Sequence, residues 1–301
     1  MYVITGATGN IGSKIVDNLL ERGERVRVIG RSVEKLKGYV DRGAEAEVGD
    51  LRDAPFVGRA FSGATAVFTI IPPNLTSSDF RAYQAEITEN LAFGIEKAEV
   101  KYVVNLSSQG ADLTEGTGPI LGLREQEIRF NHLAGVNVLH LRPTYFMENL
   151  LMNIPLIVNS GIAGSPVHGD LKFAMIATSD IASIAAEHLV RRDFIGKQVR
   201  DLLGQRDISL NEAFFIIGHR IGIPELKYVQ FPYEDAAKGM IEMGISEDVS
   251  SLFLEMCEAL NNGLFAVGRP RTPVNTTLTS MEEFADTFAN YYALTTLNKA
   301  A

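Results

Sequence analysis

The amino-acid sequence predicts an α/β protein, in which a doubly wound parallel sheet is followed by a smaller C-terminal α/β lobe. Over residues 1–141, short apolar runs alternate with helical patterns, and such alternation is typical of strands and helices wound into a parallel sheet. Residues 64–71 are almost continuously apolar, as expected of a strand buried on both faces. Ligands of such a sheet bind beyond the carboxyl ends of its strands.

The regular alternation ends near Thr144, and this sets the predicted division of the chain. We expect the sheet domain over residues 1–143 and a substrate-binding lobe over residues 144–294, with no linker between them. A disordered tail is expected over residues 295–301, where no packing pattern remains. The predicted strands cover residues 1–4, 25–29, 44–48, 64–71, 101–106, 136–141 and 227–231. Predicted helices include residues 52–61, 79–98, 121–133, 181–191, 207–222, 233–243, 246–262 and 280–292.

The most informative segment is the loop from Thr5 to Gly12, which reads TGATGNIG. It follows the first strand and opens a helical pattern, which is the context that a dinucleotide-binding loop requires. Gly6 would permit the tight turn, Gly9 would let main-chain amides approach a pyrophosphate, and Gly12 would let the helix pack closely on the strand. Glycines also mark ordinary turns, but this context favours phosphates at the helix N-terminus. The residues expected to contact the cofactor here are Gly6, Thr8, Gly9, Asn10, Ile11 and Gly12.

The end of the second strand indicates which dinucleotide binds. Proteins that prefer NAD usually have Asp or Glu there, bonded to the ribose 2′-hydroxyl. This chain has Gly30, Arg31 and Ser32, with Lys35 one helical turn later. A guanidinium and a hydroxyl would bind a 2′-phosphate that a carboxylate would repel, although Arg31 could also be an ordinary solvated residue. We predict NADP as the cofactor, with NAD as the alternative.

Two other groups of residues at strand ends are expected to line the cofactor cleft. Asp50, followed by Leu51, could accept a hydrogen bond from the adenine amino group, or it could cap the helix over residues 52–61. The nicotinamide half is expected at the ends of the fourth, fifth and sixth strands, because ligands lie beyond the carboxyl ends of such strands. The residues expected there are Thr69, Ile70, Ile71, Pro72, Ser107, Ser108 and Pro143.

Composition and charge exclude several classes of protein. The formal net charge of −9 leaves no basic excess for nucleic acid or for an anionic membrane surface. The single cysteine, Cys257, allows no internal disulfide, which fits a reducing cytosol, and we interpret it as a core residue. The histidines show no metal-binding spacing, and no apolar run approaches the ~18 residues of a membrane-spanning helix. We expect a cytoplasmic protein without a metal, a signal peptide, a membrane or a nucleic-acid partner.

Four segments together resemble the NmrA-like family of atypical short-chain dehydrogenases/reductases. They are the loop ending at Gly12, the Gly30-Arg-Ser and Gly49-Asp-Leu segments, and the run from Leu141 to Asn149, which reads LRPTYFMEN. The last segment is the narrower signal, since the glycine loop is common to all short-chain reductases. The resemblance covers most of the chain and implies a Rossmann fold, a cofactor cleft on the first domain, a substrate pocket and NAD(P)H-dependent reduction of a small molecule.

The chain lacks the Tyr-x-x-x-Lys pair with which most short-chain dehydrogenases transfer a proton. No tyrosine occurs between Tyr102 and Tyr145. At the common family spacing after Ser107, the two positions hold Ile120 and Arg124. Arginine cannot act as a general acid near neutral pH, so the ordinary mechanism, which sugar-nucleotide epimerases share, is excluded. No residue is assigned as catalytic.

Two functions remain. The first is hydride transfer to a quinone-like or conjugated small molecule, which needs little help with protonation and depends on proximity and water exclusion. Tyr145, Phe146 and Met147 would supply apolar surface in the substrate pocket, Asn149 a polar contact, and Glu148 either a polar contact or a helix cap. The second is a non-catalytic NAD(P)-sensing regulator that acts through a protein partner. A homodimer is compatible with both.

The remaining polar residues are expected to have structural roles. Arg124, Glu125 and Glu127 form a charged run that is typical of a solvated helix face, with Arg124 reaching the cleft as the alternative. The residues interpreted as caps or packing residues are Asp180 at the N-cap of the helix over residues 181–191, and His132 and His140 around the turn before the sixth strand.

Overall fold

The computed structural model describes residues 1–265 and 270–300, with side chains described to residue 297. The strands are β1 (Tyr2–Ile4), β2 (Val26–Gly30), β3 (Glu45–Val48), β4 (Ala66–Thr69), β5 (Tyr102–Leu106), β6 (Asn137–Pro143), β7 (Tyr145–Phe146), β8 (Ile162–Ser165), β9 (Phe173–Ile176), β10 (Lys197–Leu202), β11 (Asp207–Ile208) and β12 (Lys227–Gln230). The α-helices are α1 (Gly12–Glu21), α2 (Val33–Val40), α3 (Ala54–Ala60), α4 (Phe80–Lys97), α5 (Ile120–Asn131), α6 (Ile154–Ser160), α7 (Thr178–Arg191), α8 (Leu210–Arg220), α9 (Tyr233–Glu242), α10 (Glu247–Asn261) and α11 (Met281–Ala300), and Met147–Asn153 form a 3₁₀ helix.

The predicted doubly wound parallel sheet is confirmed. Seven strands lie in the order β10-β6-β5-β4-β1-β2-β3. The strand β1 pairs in parallel with both β2 and β4, so the order reverses at this point. The residues of β1 and β4 are buried throughout, as their apolar sequences require. This is the strand order of dinucleotide-binding folds, whose ligands lie at the carboxyl ends next to the reversal.

The chain divides into two compact units whose boundaries differ from those predicted. The first contains Met1–Glu115, Pro119–Arg142 and Ile181–Asp201, and the second contains Gly116–Gly118, Pro143–Asp180 and the described residues from Leu202 onward. The predicted division at residue 143 is therefore wrong for residues 181–201. The physical reason is that β10 extends the central sheet beside β6, which returns this part of the chain to the first unit.

In the second unit, the helix predicted over residues 207–222 begins later. Asp207 and Ile208 form β11, which pairs antiparallel with β9. The hydroxyl of Ser209 then accepts a hydrogen bond from the Glu212 amide and caps α8. Pairing with a strand distant in the sequence decides the start of this helix, and local helix propensity does not reveal such a pairing.

The prediction that Asp180 is an N-cap is wrong. The helix α7 already begins at Thr178, whose main-chain N–H donates to both carboxylate oxygens of Glu148 at 3.1 and 3.0 Å. Asp180 instead accepts hydrogen bonds from the main-chain N–H (3.1 Å) and the hydroxyl (2.6 Å) of Thr279. Of the two roles considered for Glu148, the structure therefore shows the cap.

The prediction of a disordered tail is also wrong, because α11 continues to Ala300. The hydroxyls of Thr295 and Thr296 donate to main-chain carbonyls one turn earlier. Leu294 and Leu297 are largely exposed, which explains why the sequence shows no packing pattern there. Residue 301 lies outside the described residues.

Residues 1–265 and 270–300 contain neither a candidate membrane span nor a candidate metal cluster. None of the helices there combines the length and hydropathy that a membrane-spanning segment needs. In the same ranges, no three His, Cys, Asp or Glu side chains come together in a way that could hold a metal ion.

Candidate functional site

The glycine loop between β1 and α1 is built around two positions that only glycine can occupy. Gly6 has φ +63°, and a Cβ there would lie 2.6 Å from Cγ2 of Ile70. A Cβ on Gly12 would lie 2.1 Å from the carbonyl oxygen of Gly6. The tight turn and the close approach of helix to loop therefore both depend on the absence of a side chain. Gly9 is exposed, and a Cβ added there would meet only the carbonyl oxygen of Gly6, at 3.4 Å.

The N-terminus of α1 is left open to a ligand. Its N-cap is the apolar Ile11, and no side chain caps it. By contrast, the helices that follow the next three strands of the sheet are capped by Ser32 (α2), Asp53 (α3) and Asp79 (α4). First-turn amides need an acceptor, and the helix dipole favours an anion at this end. Thr8 and Asn10, the other predicted contacts, are exposed beside it.

Thr5 fixes the loop to the neighbouring strand β4. Its hydroxyl donates to the carbonyl of Phe68 at 3.1 Å and accepts the N–H of Ile70 at 3.0 Å. Ile71 is buried, and the carbonyl of Pro72 accepts the Tyr83 hydroxyl at 2.9 Å. The end of β4 is thereby held rigidly next to the glycine loop.

At the end of β2, Arg31 and Lys35 are exposed, as a role in phosphate binding requires. Ser32 is already engaged within the protein. Its hydroxyl accepts the Lys35 amide at 3.3 Å and donates to the carboxylate of Glu34 at 2.7 Å. This hydrogen bond lowers the pKa of the exposed Glu34 carboxyl. A 2′-phosphate would therefore have to displace Glu34 before Ser32 could donate to it.

The alternative in which Asp50 caps the next helix is wrong. The helix α3 begins at Ala54, and its cap is Asp53. Asp50 is exposed and accepts the Arg52 amide at 2.9 Å. Leu51 is buried in the core, and its carbonyl accepts the side-chain amide of Asn90 at 3.0 Å. Asp50 thus stays accessible at the end of β3, and Leu51 offers little surface.

A row of four polar residues, here called the inner rung, crosses the first unit from three buried strand residues to an exposed residue on α5. Thr69 on β4 donates to Asn105 on β5 at 2.8 Å, and the Asn105 amide lies 3.1 Å from Nδ1 of His140 on β6. Nε2 of His140 lies 3.1 Å from Oδ1 of Asn131 on α5. The three strand residues are in direct register. Burial lowers the pKa of His140 to about 4, so the imidazole is neutral and each ring nitrogen has a partner.

A second set of three residues, the outer rung, joins Ser107 and Arg142 at the ends of β5 and β6 to Glu127 on α5. The Ser107 hydroxyl donates to Oε1 of Glu127. Arg142 donates to the same carboxylate from Nε at 2.9 Å and from Nη2 at 2.5 Å. The prediction that Glu127 belongs to a solvated face is wrong, since this residue is only 4% exposed. The ion pair with Arg142 makes its burial tolerable.

Both rungs have a signal in the sequence, the spacing of polar residues along two strands, which is not a recognised motif. Asn105 and Ser107 are two residues apart, as are His140 and Arg142, and such pairs share one face of a strand. Polar residues on one face of otherwise apolar strands indicate a buried polar network.

Several predicted residues have other surroundings. Ser108 is partly buried and donates to the carbonyl of Gln109. His132 is exposed and forms the C-cap of α5, which confirms the expectation of a cap. Arg124 is partly exposed, but its Nε is buried and has no hydrogen-bond partner within the part of the chain that the structure describes. Ile120 is buried at the start of α5.

Pro143 and the four residues expected in the substrate pocket belong to the second unit. The Tyr145 ring packs edge-on against Phe173, with 5.4 Å between ring centroids. Pro143 and Met147 are buried. Tyr145 and Phe146 are half-buried, and Asn149 is exposed. Tyr145, Phe146 and Asn149 therefore expose some surface and Met147 almost none; that they line a substrate pocket stays a prediction.

Comparison with known proteins places the chain in a family. It matches the NmrA-like family over residues 2–285. It is 28% identical over 258 residues to an NAD(P)H azoreductase from Xenophilus azovorans, which covers 85% of this chain and 86% of that protein. The triphenylmethane reductase of Citrobacter sp., solved with NADP(H), has a TM-score of 0.78 at 19% identity and covers 96% of this chain and 100% of that one. An NADPH-dependent quinone oxidoreductase from Escherichia coli, solved with NADPH, has a TM-score of 0.73 at 21% identity, with coverages of 95% and 99%. The two structures show the same fold, and because the family match spans almost the whole chain, this protein belongs to the NmrA-like family.

Proposed function

We propose that the chain is an NAD(P)H-dependent oxidoreductase of the NmrA-like type, with NADPH as its preferred cofactor. The observation that carries the proposal is the uncapped N-terminus of α1 behind a glycine loop, at the point where the strand order reverses. A pyrophosphate fits this position because it supplies the acceptors and the negative charge that the helix end lacks. The azoreductase, the dye reductase and the quinone oxidoreductase, all named for NAD(P)H or solved with it, support the same assignment.

The order of the strands supports placing the two halves of the cofactor on opposite sides of the loop. With the pyrophosphate at β1, the adenosine half lies toward β2 and β3, near Arg31, Lys35 and Asp50. The nicotinamide half then lies toward β4 and β5. Neighbouring strands are about 4.8 Å apart, so the end of β5 lies roughly 10 Å from the end of β1. This reach brings Pro72 and Ser107 into the nicotinamide half.

The proposed reaction needs no side chain that donates or accepts a proton. NADPH supplies a hydride from its nicotinamide ring, and a quinone-like acceptor takes up this hydride together with one proton from solvent. The chain contributes binding, orientation and water exclusion. Neither Ile120 nor Arg124 can act as a proton donor. The favoured substrates are therefore quinone-like or conjugated small molecules that need no positioned acid. Tyr145, Phe146 and Asn149, which are half-buried or exposed, are the residues proposed to contact them, whereas Met147 is buried.

The proposal is tested by titrating the protein with NADPH and with NADH, followed by stopped-flow oxidation of bound NADPH with a panel of quinones and azo dyes. We expect NADPH to bind the more tightly and its oxidation to depend on the acceptor. Binding without turnover of any acceptor would favour a dinucleotide-sensing regulator that acts through a protein partner. Absence of binding would contradict the assignment of the glycine loop.

Replacing Arg31 by alanine is expected to weaken NADPH binding by roughly 10-fold to 100-fold, because a charge-assisted hydrogen bond to the 2′-phosphate is lost. NADH lacks that phosphate, so its affinity is expected to stay unchanged. Arg59→Ala is the matched control, since Arg59 is an exposed arginine on α3. Both affinities are measured by calorimetry at one salt concentration. An equal loss for both dinucleotides would show that Arg31 does not read the 2′-phosphate.

A further inference from the structure

We propose that Ser107 binds the nicotinamide end of the cofactor as a hydrogen-bond acceptor, and that Glu127 is the positioning residue that makes it one. The proposal rests on the proposed function and adds to it the direction of one hydrogen bond. It assigns a role in cofactor recognition to the outer rung, which the reaction itself does not use.

The first step concerns the single proton of the Ser107 hydroxyl. An ionised carboxylate can only accept hydrogen bonds, so in the contact between Ser107 and Oε1 of Glu127 the serine must donate. A hydroxyl has one proton and two lone pairs. Toward any other neighbour, Ser107 can therefore only accept.

The second step concerns the charge on Glu127. Its two oxygens receive Nε and Nη2 of Arg142 at 2.9 and 2.5 Å, which is the bidentate geometry in which guanidinium and carboxylate bind most strongly. Glu127 is thus the acceptor in an ion pair with a guanidinium that stays charged. The Ser107 proton consequently stays on the Glu127 side.

The third step concerns the unused acceptor. Within residues 1–265 and 270–300, no side chain or amide donates to Oγ of Ser107, although the residue is only 3% exposed. Its own main-chain N–H is occupied by the carbonyl of Leu141 at 2.8 Å. The hydroxyl oxygen already has one partner, Glu127, and keeps an acceptor position that a ligand with an N–H group would fill.

The fourth step identifies the donor. Ser107 follows β5, on the side of the glycine loop assigned to the nicotinamide. The nicotinamide ring carries a carboxamide, whose NH₂ is the hydrogen-bond donor on that ring. An amide of this kind would donate to the acceptor position that Ser107 keeps. A serine in this state cannot polarise a substrate carbonyl by donating to it, which agrees with substrates that need no positioned acid.

The test compares two ligands that differ at this group: NADP⁺ and its 3-acetylpyridine analogue, in which a methyl ketone replaces the carboxamide and no N–H is present. Calorimetric affinities of wild type are expected to favour NADP⁺ by roughly threefold to tenfold, the value of one hydrogen bond. In Ser107→Ala the preference is expected to fall below about twofold. If Ser107→Ala keeps the wild-type ratio, the acceptor role is overturned. If wild type binds neither ligand, the proposed function has failed instead.

The double variant Glu127→Met/Arg142→Met tests the positioning role with the same two ligands. It removes the acceptor of the Ser107 proton together with the charge paired to it, so Ser107 is free to donate and the ratio is expected to fall below about twofold even though Ser107 is present. The matched control is Glu125→Gln on the same helix, whose carboxylate is exposed and bonds Arg81; it is expected to keep the wild-type ratio. If this double variant does not fold, Glu127→Met with Arg142 kept is measured in its place. A wild-type ratio in the folded Glu127 variant would overturn the role of Glu127.

Discussion

Replacing Gly12 by alanine is expected to destabilise the first unit and to weaken NADPH binding by roughly 10-fold to 100-fold. The added Cβ would lie 2.1 Å from the carbonyl oxygen of Gly6 and 3.0 Å from Cα of Ala7. These are main-chain atoms, so the loop itself must move, at an expected cost of about 1–3 kcal/mol in the free energy of unfolding. A displaced loop also loses amide hydrogen bonds to the pyrophosphate, each worth roughly 1.5–3 kcal/mol when the acceptor is charged.

The measurements are urea unfolding and calorimetric titration with NADPH. Gly38→Ala is the matched control, because Gly38 lies within α2 and nothing would contact its Cβ. Alanine is the better helix former, so this variant is expected to be more stable by about 0.5–1 kcal/mol with unchanged NADPH affinity. If Gly12→Ala bound NADPH as wild type does, the close packing of helix on loop would have no part in binding.

Acid is expected to destabilise the protein through His140. Burial lowers the pKa of this imidazole in the folded protein to about 4, against 6.5 for the free side chain. Its partners agree with the neutral form, since the Asn105 amide donates to Nδ1 and Nε2 donates to Asn131. Between these two pKa values the unfolded chain binds a proton that the folded chain does not. The contribution of neutral His140 is therefore complete above about pH 6.5 and is lost as the pH falls toward 4.

The expected loss between about pH 7.5 and about pH 5 is ~2 kcal/mol in the free energy of unfolding. It is measured by urea unfolding of wild type and of His140→Gln, whose amide can both donate and accept but does not titrate. The variant is expected to lose about 2 kcal/mol less than wild type over this range. His132→Gln, at an exposed histidine, controls for the removal of a histidine as such. A pH dependence that is equal in wild type and His140→Gln would refute the assignment.

The elements that could be predicted from the sequence are those defined by local patterns. The strands β1, β4 and β5 are apolar runs, and the glycine loop between β1 and α1 has a spacing that turn geometry imposes. Residues 181–201 could not be assigned to the first unit from the sequence. The residues of a strand do not show which other strand it pairs with, because sheet geometry decides the pairing. For the same reason, the sequence predicts a helix from residue 207, although Asp207 and Ile208 form β11.

The residues of the candidate site also divide into those that local patterns predict and those that they do not. Gly6, Gly12 and Arg31 were identified because each type of residue answers a local requirement: a turn, a close approach, or a charge at a strand end. Glu127 was missed, since a carboxylate within a charged run is usually solvated. Its burial depends on Ser107 and Arg142, which reach it from two different strands.

By itself, the sequence determined the sheet class, the glycine loop, the basic end of β2 and the absence of a Tyr–Lys pair, since each is a matter of residue type at short spacing. Tertiary structure alone decided the boundaries of the two units, the neutral state of His140 and the direction of the Ser107 hydrogen bond. Each of these depends on groups far apart in the chain, whose energies arise only when burial removes water from them.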